Sequence, residues 1–110
     1  MTTPPDRAEA YHRVTDVIRC KWTLAVLDHL TRGPARPSDI QRALPGLTSK
    51  VLSERLRKLE QFGLIDRKAF AEVPPRVEYS LNERGESLAS LAYQVNVFVD
   101  QWVESESRPR

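Results

Sequence analysis

The dipeptide Pro45-Gly46 constrains the fold of this chain more than any other feature, because it separates two helical patterns by a very tight turn. Before it, Pro37 suits a first helical position, and Asp39 in the first turn complements the helix dipole. The inner face of this short helix is predicted to consist of Ile40, Ala43 and Leu44. Two helices joined by the turn PGL are typical of a helix-turn-helix motif.

The helix after the turn has two distinct faces. Thr48 is a good N-cap, and the helical pattern continues to about Gln61. At about 100° of rotation per residue, Leu52, Leu56 and Leu59 form one apolar stripe that faces the core. The opposite face is polar and partly basic, and it carries Lys50, Ser53, Glu54, Arg57 and Gln61. A helix that enters the major groove of DNA needs such a face, although an ordinary amphipathic helix in solvent shows one too.

Single side chains at this helix suit different DNA contacts. Ser49, beside Thr48 at the helix start, can reach a phosphate with the help of the first backbone N–H groups. Lys50, Ser53 and Arg57 are candidates for base edges or phosphates. Glu54 can accept from a cytosine amine, or it can pair with Lys50 or Lys58 four residues away.

The flanking patterns complete a winged helix-turn-helix. Helices are predicted over Arg7–Arg19 and from Lys21 to about Arg32, and Gly33-Pro34 ends the second one. Short strands are predicted over Leu64–Phe70 and Arg76–Leu81, and the loop AEVPP joins them. Asn82 then caps a long last helix. The predicted fold class is therefore mainly α with a small β-hairpin, plus extra helices at both ends.

The hairpin, called the wing, offers three basic side chains. Arg76 follows the rigid Pro74-Pro75 turn and suits a narrow minor groove, and Arg67 and Lys68 lie on the incoming strand. We expect all three to contact DNA. The alternative is a surface hairpin whose charges serve solubility.

The two terminal helices are predicted to form a dimer interface over residues 7–19 and 82–104. Apolar residues recur every three or four positions in the last helix, close to a heptad seam. Because helices two to four already fill the core, this stripe needs another surface. The predicted interface consists of Tyr11, Val14 and Ile18 with Leu88, Leu91, Val95, Phe98 and Trp102. The alternative is that the two helices pack together within a monomer.

Length and composition set the remaining bounds. The 110 residues suit one domain, predicted over residues 7–107 after a flexible segment 1–6. Residues 1–80 hold 14 Lys and Arg against 10 Asp and Glu, whereas residues 81–110 hold 3 against 5, so a basic body precedes an acidic tail. Neither a signal peptide nor an apolar run of bilayer length is present, which favours a cytoplasmic protein without a membrane partner.

The sequence contains no motif that indicates catalysis or metal binding. There is no Gly-rich phosphate loop, nucleophile elbow or zinc spacing, so we expect no enzyme, metal or cofactor. The single cysteine, Cys20, lies beside the positive charge of Lys21 and is a possible redox sensor. The alternative is that Cys20 is a small buried hydrophobic residue.

Three strings carry a family resemblance over about residues 15–90: KWTLAVLDHL, DIQRALPGLTSKVLSERLRKLEQFGLIDRKAF and VPPRVEYSLNERGESL. They resemble the HxlR-type winged-helix transcriptional regulators of bacteria and archaea. The resemblance implies a homodimeric transcription factor that dimerises through its first and last helices. Some members sense oxidants through a cysteine upstream of the first core helix. This sequence departs there, because Ala8–Tyr11 hold no cysteine and Cys20 stands where relatives commonly have glycine.

The sequence thus predicts a regulator, most often a repressor, that binds palindromic promoter DNA as a homodimer. A different class of function fits the same fold, namely a winged-helix protein-interaction adaptor that binds no DNA. No small-molecule effector is indicated by the residues.

Overall fold

The computed structural model describes residue 4 and residues 6–108, so the predicted flexible segment 1–6 lies mostly outside the described residues. The elements are α1 (Arg7–Ile18), α2 (Thr23–Leu30), α3 (Pro37–Ala43), α4 (Ser49–Gln61), β1 (Ile65–Phe70), β2 (Arg76–Leu81) and α5 (Glu83–Ser107). Helices α3 and α4 form the helix-turn-helix, and the antiparallel pair β1–β2 forms the wing. The predicted fold class is confirmed.

The core lies between α2, α4 and the base of the wing. Leu52, Leu56 and Leu59 are at most 2% exposed, which confirms the predicted apolar stripe of α4. They pack with buried side chains from the other elements, among them Val17, Val26, Leu27, Ile40 and Ile65. Burial of one such side chain stabilises the fold by about 1.5–3 kcal/mol. The core therefore fixes which side of α4 faces outward.

Helix α2 is shorter than the sequence predicts. It spans Thr23–Leu30, two residues shorter at each end than the predicted range from Lys21 to about Arg32. Trp22 stands outside the helix with φ of 80°, in the left-handed region, and its ring lies against Gly46 of the turn before α4. At the other end, the N–H groups of residues 31–33 donate to carbonyls three residues back, so the last turn is tighter than an α-helix.

Helix α3 contacts the core through fewer residues than predicted. Ile40 is fully buried and Leu44 is half-buried, but Ala43 is exposed, so its assignment to the inner face was wrong. The helix ends at Ala43, and the chain inserts Leu47 into the core directly after Pro45-Gly46. Leu47 is therefore a core residue that the helical pattern did not predict.

The wing is anchored to the domain by a third segment. Ala35 and Tyr79 exchange two backbone hydrogen bonds of 2.9 and 2.8 Å, which ties β2 to the chain just before α3. The register pairs Ile65 with Leu81 at the base and Phe70 with Arg76 next to the loop. The wing is thus held beside the helix-turn-helix at its base, while its loop extends outward.

Helix α5 begins on the core and continues beyond it. Asn82 caps it as predicted, accepting from the N–H of Gly85 at 2.9 Å while its amide donates to the Gly63 carbonyl at 2.8 Å. Gly85, Ala89 and Ala92 are buried. Every described residue from Tyr93 onward is exposed. We call Tyr93–Ser107 the distal half of α5.

Candidate nucleic-acid interface

The start of α4 is held by side chains from both helices of the motif. The Thr48 hydroxyl oxygen accepts a hydrogen bond from the N–H of Val51 at 3.2 Å, as expected of an N-cap. The Ser49 hydroxyl donates to Oε1 of Gln41 on α3 at 3.0 Å. Sequence reasoning missed Gln41, because only the crossing of α3 and α4 brings it to Ser49. Both Thr48 and Ser49 remain exposed at the helix start.

The outer face of α4 presents the predicted polar side chains to solvent. Lys50, Ser53, Glu54 and Arg57 are all exposed. Within residues 6–108 no ion pair engages Lys50, Glu54 or Arg57, so the suggested pairing of Glu54 is not observed. This face therefore carries two cations without an ion-pair partner, Lys50 and Arg57. The Ser53 hydroxyl and the Glu54 carboxylate lie between them, about one helical turn from each. Such a set can contact both phosphates and base edges.

Two further cations of α4 turn inward instead. The Nε of Arg55 donates to the carbonyl of Lys21 at 2.9 Å. The Nζ of Lys58 lies 3.7 Å from Oδ2 of Asp16 and 3.7 Å from the sulfur of Cys20. These contacts tie the back of α4 to the junction of α1 and α2. They leave Lys50 and Arg57 as the outward-facing cations of the helix.

The wing holds its three predicted DNA contacts in two different environments. Arg67 and Lys68 are exposed on β1. The side chain of Arg76 is only 26% exposed and lies between Glu72, Glu78 and the ring of Phe70. Direct contact of these residues with DNA stays a prediction.

Cys20 lies at the end of α1 and is half-buried. Its thiol lies 3.8 Å from the Asp16 carbonyl and within reach of the Lys58 ammonium group. The positive neighbour is therefore Lys58 on α4 and not the adjacent Lys21, whose Nζ lies over the Trp22 ring at 5.5 Å. A redox role for Cys20 stays a prediction.

The predicted dimer residues divide by exposure. Val14, Ile18, Leu88 and Leu91 are half-buried within the chain, and Leu88 packs on the core. Tyr11, Val95, Phe98 and Trp102 are exposed, the last two at 59% and 57%. The distal half of α5 adds further exposed apolar side chains, namely Tyr93, Val97, Val99 and Val103. Their association with a second chain stays a prediction.

Comparison with known proteins identifies the family. The model of the HxlR-like helix-turn-helix family matches residues 17–107. This chain belongs to that family. The uncharacterized HTH-type transcriptional regulator sll1512 of Synechocystis is 40% identical over 94 residues, covering 86% of this chain and 70% of the relative. The relatives of this chain are thus named as transcriptional regulators, and its family membership identifies it as a DNA-binding regulator of transcription.

Solved structures agree with this assignment. The HTH-type transcriptional regulator ytcD superposes with a TM-score of 0.78 at 36% identity, over 91% of this chain and 99% of that one. The redox regulator HypR in its oxidized form gives a TM-score of 0.74 at 34% identity, over 92% of this chain and 99% of that one. In the described part of this chain, no helix combines the length and apolar character that crossing a bilayer requires.

Proposed function

We propose that this HxlR-family member is a repressor that binds palindromic promoter DNA in a sequence-specific manner as a homodimer in the cytoplasm. The observation that carries the proposal is the outer face of α4, where Lys50, Ser53, Glu54 and Arg57 are exposed together. Each α4 would lie in a major groove, with its N-terminal end toward the base edges. Arg67 and Lys68 of the wing would contact the adjacent backbone or minor groove.

The homodimer is supported by the distal half of α5. A run of exposed apolar side chains on one helix is unusual for a monomer and is typical of an association surface. Phe98 and Trp102 already stack edge to face at 5.8 Å, and large aromatic anchors of this kind dominate interface energies. On a palindromic site, the two copies of α4 in a twofold dimer would lie about 34–36 Å apart, the distance between successive turns of the duplex.

The DNA proposal is tested by selecting genomic fragments with the purified protein and titrating the selected duplex by fluorescence anisotropy. Arg57→Ala should weaken binding about 5- to 150-fold, which corresponds to ~1–3 kcal/mol for a specific base contact. Affinity should also fall steeply with salt, since phosphate contacts supply much of it.

Arg108→Ala is the matched control, because it removes the same charge near the end of α5, where Arg108 pairs with Glu104 at 3.0 Å. It should bind the duplex within twofold of the wild type. Equal affinities of Arg57→Ala and wild type would remove the recognition helix from the interface. No retention of wild-type protein on duplex or heparin at low salt would favour the adaptor function instead.

The predicted redox role of Cys20 can be tested with the same duplex. Oxidant should release DNA from the wild type but not from Cys20→Ser. If both proteins respond alike, Cys20 is not the sensor. The contact between its sulfur and Lys58 offers a physical route, since a modified thiol would disturb the back of α4.

A further inference from the structure

The guanidinium of Arg76 is enclosed by partners within the wing. Its Nη2 lies 3.1 Å from Oε1 of Glu72, and its Nε lies 3.6 Å from Oε2 of Glu78. Its central carbon lies 3.9 Å from the centre of the Phe70 ring, the usual geometry of a cation–π contact. Three side chains from both strands and the loop thus converge on one arginine.

Register explains why these groups meet. Phe70 faces Arg76 and Lys68 faces Glu78 across the two strands, and directly paired residues lie on the same side of a sheet. Glu72 reaches the group from the loop between the strands. The cluster therefore crosses from β1 to β2 at the point where the hairpin opens into its loop.

The charge of Arg76 is neutralised inside this cluster. Two carboxylates face one guanidinium. Lys68 lies beside the same ring, with its Nζ 5.0 Å from the centre of Phe70, but it is exposed and no ion pair engages it within the described residues. Nε is buried and has no hydrogen-bond partner among the described residues, so its contact with Glu78 is an ion pair only, and only 26% of the side chain is accessible. To contact a phosphate, Arg76 would have to leave both carboxylates and the ring.

We infer that Arg76 is a positioning residue that holds the wing in its DNA-binding shape, and that the wing's own contacts with DNA come from Arg67 and Lys68. The second part rests on the proposed function, whereas the first concerns the free protein. Arg67 and Lys68 suit the contact because both are exposed on β1. At the outer end of the loop, Val73 is fully exposed, so the tip itself is apolar and carries no cation.

Amide hydrogen exchange of the free protein tests the positioning role without DNA. In Arg76→Gln, the amides of β1 and β2 next to the loop should exchange at least about tenfold faster, because the wing loses the ion pairs of Arg76 with Glu72 and Glu78. Exchange in α2 should stay unchanged, which shows that the domain remains folded. Glu72→Gln should loosen the same amides, and it should add little in the Arg76→Gln background. Unchanged exchange in Arg76→Gln would overturn the positioning role.

The salt dependence of DNA binding tests which wing cations touch DNA. The slope of log K against log salt is negative, and loss of one phosphate contact lowers its magnitude by about 0.9. Arg67→Gln and Lys68→Gln should each reduce the slope by roughly this amount, whereas Arg76→Gln should lower the affinity and leave the slope unchanged. A reduced slope in Arg76→Gln, with unchanged slopes for the other two, would assign the contact to Arg76 and overturn the inference.

Failure of this inference is distinct from failure of the proposed function. If the wild type binds no duplex at low salt, the proposed function is wrong, and with it the assignment of Arg67 and Lys68. The exchange experiment on the free protein still decides whether Arg76 holds the wing.

Discussion

Helix α4 buries its apolar side chains, whereas the distal half of α5 exposes them. In α4 the leucine stripe is at most 2% exposed, and the polar side faces solvent. In the distal half of α5 the apolar side chains themselves are exposed, with Trp102 at 57% and Val103 at 63%. The apolar side chains of α4 are covered by other parts of the same chain, whereas those of the distal half of α5 are not. The two surfaces therefore suit different partners, a polyanion at α4 and an apolar surface at α5.

The cause of the difference is the position of each helix relative to the core. Helix α4 lies across the centre of the domain, so its whole stripe is covered. The buried residues of α5, namely Gly85, Ala89 and Ala92, all lie in its first half. At 1.5 Å per residue, a 25-residue helix is about 37 Å long and extends beyond this small core.

The largest expected effect comes from opening the core under α4. Leu56→Ala removes a side chain that is 2% exposed, and we expect a loss of about 2–5 kcal/mol in the free energy of unfolding. Urea titration followed by circular dichroism measures it. Val103→Ala, at an exposed site of α5, serves as the comparison and should change the stability of the monomer by less than about 0.5 kcal/mol. Similar losses of unfolding free energy for the two variants would contradict the proposed difference between α4 and the distal half of α5.

A charge in the distal half of α5 should act on association and not on folding. Trp102→Asp places an unpaired carboxylate in the proposed interface, and we expect dimer affinity to fall by about 2 kcal/mol or more, roughly 30-fold. Analytical ultracentrifugation over a concentration series measures the dissociation constant, and circular dichroism checks the helix content. A wild type that sediments as a monomer at micromolar concentration would contradict the proposed dimer.

A smaller loss of folding free energy is expected at Gly85, where the first half of α5 contacts the residue before β1. A methyl group at Gly85 would clash with the carbonyl oxygen of Leu64, which is backbone and yields little. Gly85→Ala should therefore cost about 1–3 kcal/mol of folding free energy. Ser87→Ala, at an exposed position two residues on, should remain within about 0.5 kcal/mol of the wild type. If Gly85→Ala melts at the wild-type temperature, α5 is not seated this closely.

Local signals predicted most of the helix-turn-helix. The N-caps Thr48 and Asn82 both have side-chain oxygens that can accept from the N–H three residues on, and both do so. Gly63 has φ of 79°, as its predicted place after α4 requires. The start of α2 was misjudged, because Trp22 is a poor candidate for positive φ. Its ring lies against Gly46, a contact between distant segments that no local pattern predicts.

The roles of single arginines were less predictable. Arg55 and Arg57 are two residues apart in α4 and equally basic, yet Arg55 reaches back to the Lys21 carbonyl while Arg57 faces solvent. Arg76 was predicted to reach a narrow minor groove because it follows the rigid Pro74-Pro75 turn, and that contact stays a prediction. Its partners lie on the other strand and in the loop, so a pattern read along one strand does not reveal them.

By itself, the order of residues determined the helices, the tight turn at Pro45-Gly46, the wing and the apolar stripe of α4, because caps, turns and helical periodicity act over a few neighbouring positions. Only the tertiary structure decided where α2 begins, which cations of α4 face outward and that Arg76 is enclosed. These outcomes depend on contacts between segments distant along the chain, and the geometry of such contacts exists only once the core has formed.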